Sequence, residues 1–159
     1  MTIQECCTWL QSYKKPFQYS KFFQPTTELQ ISKFEKENHI EIPPSYRDFL
    51  KLSNGARILD EIELFGIHNP KKNNVGYPTF FVKEDGKIVT QDQDTALYAS
   101  YQKHSPYLII GEGMGFACIG VHKEHKNFVM LDYKEKEPER IIFNEFGAIL
   151  EYWIELAQA

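Results

Sequence analysis

The stretch from Ile42 to Gly55 leaves the backbone fewer choices than any other part of the chain. Ile42-Pro43-Pro44-Ser45 cannot sit in a helix interior, because proline lacks an N–H and its ring clashes with the preceding turn, whereas a first helical turn tolerates it. Tyr46, Phe49, Leu50 and Ser53 follow at helical spacing. Asn54-Gly55 then supplies residues that tolerate a left-handed stop. The segment is expected to form a short helix that starts at the prolines, stops before Asn54-Gly55 and turns Tyr46, Phe49 and Leu50 toward a core.

Four further helices are expected, and local chemistry marks where three of them start. Thr2 with Glu5 three positions later forms a capping-box pattern for a helix over 2–14, with Ile3, Cys6, Leu10 and Tyr13, or Cys7 and Trp9, on its apolar side. Pro16 ends it. Thr27 and Gln30 repeat the pattern for a helix over 28–38, where Leu29, Ile31 and Phe34 are the apolar positions. A last helix begins near Asn144 and carries Phe146, Ile149, Leu150, Trp153 and Ile154 as one broad stripe. Asp92 to Lys103 reads as a helix with Leu97 and Tyr101 on one side.

Between these the apolar period shortens. Strands are expected around 58–67, at 80–83 and 87–90, at 107–110, 116–121, 128–133 and 140–143. Glu84-Asp85-Gly86 is a hairpin signal, and the turn-rich run from His68 to Pro78 is a loop within one domain. The order predicts an α+β fold: a mixed, mostly antiparallel sheet of about five or six strands packed by N-terminal and C-terminal helices.

A chain of 159 residues with 42% apolar and 25% charged residues is expected to be one globular domain that needs neither metal nor disulfide staple. Cys6 and Cys7 are adjacent and Cys118 stands alone, which suits three reduced thiols. Met1 to Glu5 lacks the basic start and apolar run of a secretory signal, and no stretch is long enough to span a bilayer, so a cytoplasmic chain with no membrane partner is expected. A formal net charge of −4 argues against direct binding of nucleic acid. Lysines occur in short pairs, Lys14-Lys15 and Lys71-Lys72, and no long basic run appears.

No arrangement of residues spells out a reaction or a cofactor site. Gly111-Glu112-Gly113-Met114-Gly115 lacks the lysine and hydroxyl of a phosphate loop and precedes no helix, so it reads as a tight turn that displays Glu112. His122 and His125 flank Glu124 in a polar connection between strands, without the spacing of a zinc motif. Cys6 and Cys7 stand near a helix start, whose dipole can lower a thiol pKa, but no partner base accompanies them. Acidic residues gather at Asp60-Glu61-x-Glu63, Glu84-Asp85, Asp92-x-Asp94 and from Asp132 to Glu139. Such groups suit a charged loop, or a docking surface that steers a basic partner.

Residues 40–55, running Ile-Glu-Ile-Pro-Pro-Ser-Tyr-Arg-Asp-Phe-Leu-Lys-Leu-Ser-Asn-Gly, resemble the N-terminal signature of the SUKH superfamily. Leu29, Phe34 and Glu35 fit the helix before that signature. Tyr107 to Gly111 resembles its strand entering a glycine turn, Phe128 to Asp132 the next strand, and Phe146 to Trp153 its last helix. The likeness covers about 27–156. Ala56 replaces a second glycine after Asn-Gly, and Phe116-Ala117 stands where many relatives carry a glycine and an acidic residue. The superfamily includes bacterial immunity proteins and domains similar to the yeast cell-wall-assembly regulator.

The resemblance implies a non-catalytic immunity protein that binds and neutralises a cognate polymorphic toxin, such as a nuclease or deaminase. The alternative is a regulatory scaffold that binds a host protein, and a hydrolase or metal enzyme would need a polar pocket assembled from distant residues. For a toxin interface the candidate contacts are Asp92, Asp94, Glu112, Asp132 and Glu135, with Tyr98 and Tyr133 as aromatic anchors. Exposed aromatics could equally join copies of the chain into a homo-oligomer. Tyr46, Phe49 and Trp153 are assigned to packing.

Overall fold

Local capping starts the first two helices as the sequence predicts. In a computed structural model describing residues 1–39, 41–67, 79–82, 88–91, 107–113, 116–131 and 139–159, α1 spans Ile3–Ser12 and α2 spans Glu28–Asn38. Both capping boxes close in each direction: Glu5 N donates to Thr2 Oγ1 at 3.1 Å and Thr2 N to Glu5 Oε2 at 2.7 Å, and the Thr27–Gln30 pair does the same at 3.2 and 3.0 Å. Helix α2 ends at His39, which takes a left-handed φ of 52°. Helix α3, Pro44–Leu50, has proline at its first position, and Tyr46, Phe49 and Leu50 are buried. Helix α4, Phe146–Gln158, buries the whole expected stripe and adds Ala157. Leu29 departs from expectation. It is 79% exposed, because Ile31 and Phe34 set the buried face of α2 and Leu29 falls outside it.

The strands are β1 (Lys21–Phe22), β2 (Ala56–Ile58), β3 (Ile62–Leu64), β4 (Thr79–Val82), β5 (Ile88–Gln91), β6 (Tyr107–Gly113), β7 (Phe116–His122), β8 (Phe128–Leu131) and β9 (Glu139–Phe143). Seven of them form one sheet in the order β1-β2-β3-β6-β7-β8-β9, and β4-β5 pair separately. Every described pairing is antiparallel. The α+β architecture is the one expected, and the sheet is wider than five or six strands. The β4–β5 pair is antiparallel in the register Val82↔Ile88, one residue off the Val82↔Val89 pairing that a two-residue Asp85-Gly86 turn would give. Its connection, the loop from His68 to Pro78 and the helix expected over 92–103 lie outside the described residues.

The single strand expected over 58–67 is two strands. Leu59 and Asp60 have φ of 53° and 59°, and Glu61 N donates back to Ile58 O at 3.1 Å. Positive φ at both central positions marks a mirror-image hairpin turn, the kind that matches strand twist. Leu-Asp is not the usual sequence for it. The N-terminal segment holds the turn from outside: Tyr19 N donates to Asp60 Oδ2 at 2.9 Å, Asp60 N to Tyr19 O at 2.8 Å, and Leu59 N to Ser20 Oγ at 3.0 Å.

The core lies between the sheet and helices α1, α3 and α4. Phe146 is its hub, with ring centroids 4.9 Å from Tyr46, 5.0 Å from Phe49 and 5.9 Å from Phe128. It thereby joins α3, α4 and β8 through edge and tilted ring contacts, the arrangements aromatic quadrupoles favour. Trp153 is fully buried beside this cluster. No helix among the described residues is long and apolar enough to cross a membrane.

Candidate partner-binding surface

The residues of the Pro-Pro to Asn-Gly segment hold the fold together. Tyr46 donates its hydroxyl to the buried carbonyl of Phe65, and a second carbonyl, Ile110 O, lies 3.4 Å away. Arg47 bonds Glu28 and Glu35, and the other oxygen of Glu35 accepts from Ile42 N at 2.8 Å. Those bonds hold the Glu28 carboxyl below the usual range. Burial acts to lower the Arg47 pKa, but the two carboxylates outweigh it and raise it. Asn54 pairs with Ile67 like a strand neighbour, accepting from Ile67 N at 2.6 Å and donating to Ile67 O at 3.0 Å. Gly55 has φ +88°, and a Cβ there would lie 2.7 Å from Leu64 O. Ser45 Oγ accepts from Phe146 N at 3.0 Å, so α3 caps α4, whose own N-cap, Glu145, makes no side-chain bond.

The glycines after β6 begin have a further duty. Added Cβ atoms would lie 2.6 Å from Glu63 O at Gly111 and 2.3 Å from Glu61 O at Gly113, where φ is +125°. The run therefore lets β6 lie close along β3, and Gly113 pairs with Phe116 as the strands turn back. Glu112 lies within β6, in register with Glu63. The other candidate contacts, Asp92, Asp94, Tyr98, Asp132, Tyr133 and Glu135, lie outside the described residues.

The helix dipole does not activate the α1 thiols. Cys6 and Cys7 are free and buried. Burial raises the Cys6 pKa and pushes the Cys7 thiol up to about 12. Desolvating a thiolate outweighs the partial positive charge at the helix start. His122 Nδ1 accepts from the backbone N–H of Glu124 at 3.2 Å and His125 at 3.1 Å, which shapes the β7–β8 turn, and the two imidazoles stack at 4.3 Å. Among the described residues no group of three or more His, Cys, Asp and Glu gathers as metal ligands.

Two concavities lie among the described residues. A small cavity of about 30 Å³ lies between Phe34, Tyr46, Leu50 and Leu108 and is walled mainly by apolar side chains. A groove of about 240 Å³ runs past Pro43, Ser45 and Glu145, under an ion pair of Lys126 with Glu41 at 3.0 Å.

The feature that sequence reading missed is a charged row across the sheet. Ala56 and Ile58 on β2, and Ile62 and Leu64 on β3, are buried, so Arg57 and Glu63 alternate to the other face. The register sets Lys21 opposite Arg57, Arg57 opposite Glu63, and Glu63 opposite Glu112. Two cationic positions are thus followed by two acidic ones across four strands. Like charges directly opposite destabilise a strand pair, as at Lys21 opposite Arg57. Lys21 and Glu112, the ends of the row, are far apart in sequence, so only strand order could bring them into line.

Residues 25–153 match the family described as SMI1 / KNR4 family (SUKH-1). The chain belongs to this family. The matched span contains the Pro-Pro helix, the Asn54-Gly55 turn, strands β2 to β9 and the first part of α4. Helix α1 and strand β1 precede it, so this SUKH-1 chain docks α1 against α4 and adds an edge strand from outside the matched span. No curated protein matches the chain.

Proposed function

We propose that this SUKH-1 chain is a cytoplasmic immunity protein that binds a cognate protein toxin and neutralises it by occlusion, with no catalysis of its own. The observation that carries this reading is the family match over residues 25–153. The geometry agrees with it. Arg47, Glu35, Asn54 and Tyr46 are committed to holding elements together, and the α1 thiols are buried in their protonated form. The edge pair of Lys21 opposite Arg57, in contrast, carries a like-charge cost that packing does not explain.

A nuclease or deaminase presents a basic substrate channel, and an acidic inhibitor competes there with the nucleic-acid backbone. In this proposal the acidic contacts are Asp92, Asp94, Glu112, Asp132 and Glu135, anchored by Tyr98 and Tyr133. The test is co-expression with each protein encoded beside it. A stoichiometric complex on size exclusion, with loss of toxin activity and protection of the producing cell, is the expected result. A stable complex with a host regulatory protein, and none with any neighbouring toxin domain, would replace neutralisation by a scaffold role.

A further inference from the structure

One corner of this acidic chain is basic and aromatic. The segment Tyr13-Lys14-Lys15-Pro16-Phe17-Gln18-Tyr19-Ser20-Lys21 joins α1 to β1. It is held firmly. Tyr13 Oη donates to Ala157 O at 2.8 Å, Tyr19 exchanges two bonds with Asp60, and β1 pairs with β2. Lys14 Nζ stands 5.6 Å from the Tyr19 ring and Lys15 Nζ 5.5 Å from the Tyr13 ring. Among the described residues, Lys14, Lys15, Lys21 and Arg57 have no carboxylate within ion-pair distance.

Phe17 sits at the tip. Gln18 N donates to Lys15 O at 3.0 Å across Pro16 and Phe17, and Phe17 has φ 62°. Proline followed by positive φ marks a type II turn, whose second central position favours glycine or asparagine. A phenylalanine there is strained, and 87% of it is exposed to water. Neither local backbone preference nor burial accounts for that residue. Lys21 opposite Arg57 on the edge of the sheet adds a like-charge pair at the same corner.

We propose that this corner docks a protein segment in which carboxylates alternate with apolar side chains. Phe17 and Tyr19 supply apolar contact, and Lys14, Lys15, Lys21 and Arg57 receive the carboxylates. The row beyond Arg57 turns acidic at Glu63, which repels a continuous polyanion and disfavours nucleic acid as the occupant. A protein segment can place its acidic groups over the basic half alone. The proposal does not depend on the partner being a toxin.

The test titrates the full chain with short synthetic peptides, followed by backbone amide shifts of residues 13–23 and 56–58. One peptide pool contains Glu, Asp, Leu and Phe, a second Lys, Arg, Leu and Phe, and a third arm is oligodeoxythymidylate. The acidic apolar pool is expected to shift these amides, and a Lys14→Glu/Lys15→Glu/Lys21→Glu variant to bind it about tenfold more weakly. Phe17→Gly is expected to raise the thermal midpoint while weakening binding, a combination that a structural role cannot produce. The proposal is overturned by equal or stronger response to the basic pool or the oligonucleotide, by no response to any arm, or by Phe17→Gly binding as the parent does. Self-association that disappears in the triple variant would assign the corner to a second copy of the chain and would also overturn it.

Discussion

Tyr46 shows how a family-signature side chain can be wholly structural. Its ring stacks on Phe49 and meets Phe146 edge-on, and its hydroxyl reaches the Phe65 carbonyl. Removing the hydroxyl takes away this buried bond at nearly unchanged volume. Tyr46→Phe is expected to cost about 1–2 kcal/mol in urea unfolding. Cys7 makes a second residue-scale prediction. Its thiol pKa is raised by burial to about 12 from an ordinary 9.0. The protonated form is favoured in the folded state, so its contribution is complete below about pH 9 and is lost as pH rises toward the folded value. The stability advantage of the parent over Cys7→Ala should therefore shrink as pH rises above about 9 in denaturant titrations. A constant difference would mean that the thiol is not desolvated.

Ser45 ties two elements that are a hundred residues apart. It lies in the first turn of α3, yet its hydroxyl accepts the first N–H of α4. Losing a cap of this kind costs about 1 kcal/mol. Ser45→Ala is expected to lose that much, with faster amide exchange at Phe146 and little change in α3 itself. Exchange that rises in α3 instead would place the stabilisation in the wrong helix. The same elements show where local reading suffices. Both capping boxes and the α4 stripe were legible because their partners lie three or four positions apart. Leu29 was misplaced because an imperfect helical period does not fix which side meets the sheet, and the packing of Ile31 and Phe34 does.

At the scale of the molecule, one seam joins the two parts of the main sheet. Among the described residues, strands β1 to β3 connect to β6 to β9 through the β3–β6 ladder, where Gly111 and Gly113 let the backbones approach. Gly111→Ala must push against the Glu63 carbonyl, which is backbone and cannot swing away. It is expected to cost about 2–4 kcal/mol and to raise amide exchange along β3 before β7 or β8. The charge pattern also belongs to this scale. A net charge of −4 says only that the chain as a whole is acidic. Folding separates that charge into a basic corner and an acidic run, so binding at the corner should weaken as ionic strength rises even though its ligand and the chain are both acidic.

The sequence by itself determined the four described helices, where they start, the strand period of the middle and the glycine-rich reversal after β6, because each depends on neighbours along the chain. It also carried enough of the signature around residues 40–55 to identify the family. Only the tertiary structure decided that Leu59 and Asp60 turn the chain, since Tyr19 and Ser20 hold that turn through bonds spanning about forty residues. Only it decided that Lys21, Arg57, Glu63 and Glu112 fall in one line, because strand register is a long-range choice that burial of the alternate residues enforces. The Lys14-Lys15 pair was visible from the start. Its meaning was not, because exposure of Phe17 and the approach of Arg57 depend on the edge of a sheet assembled from distant strands.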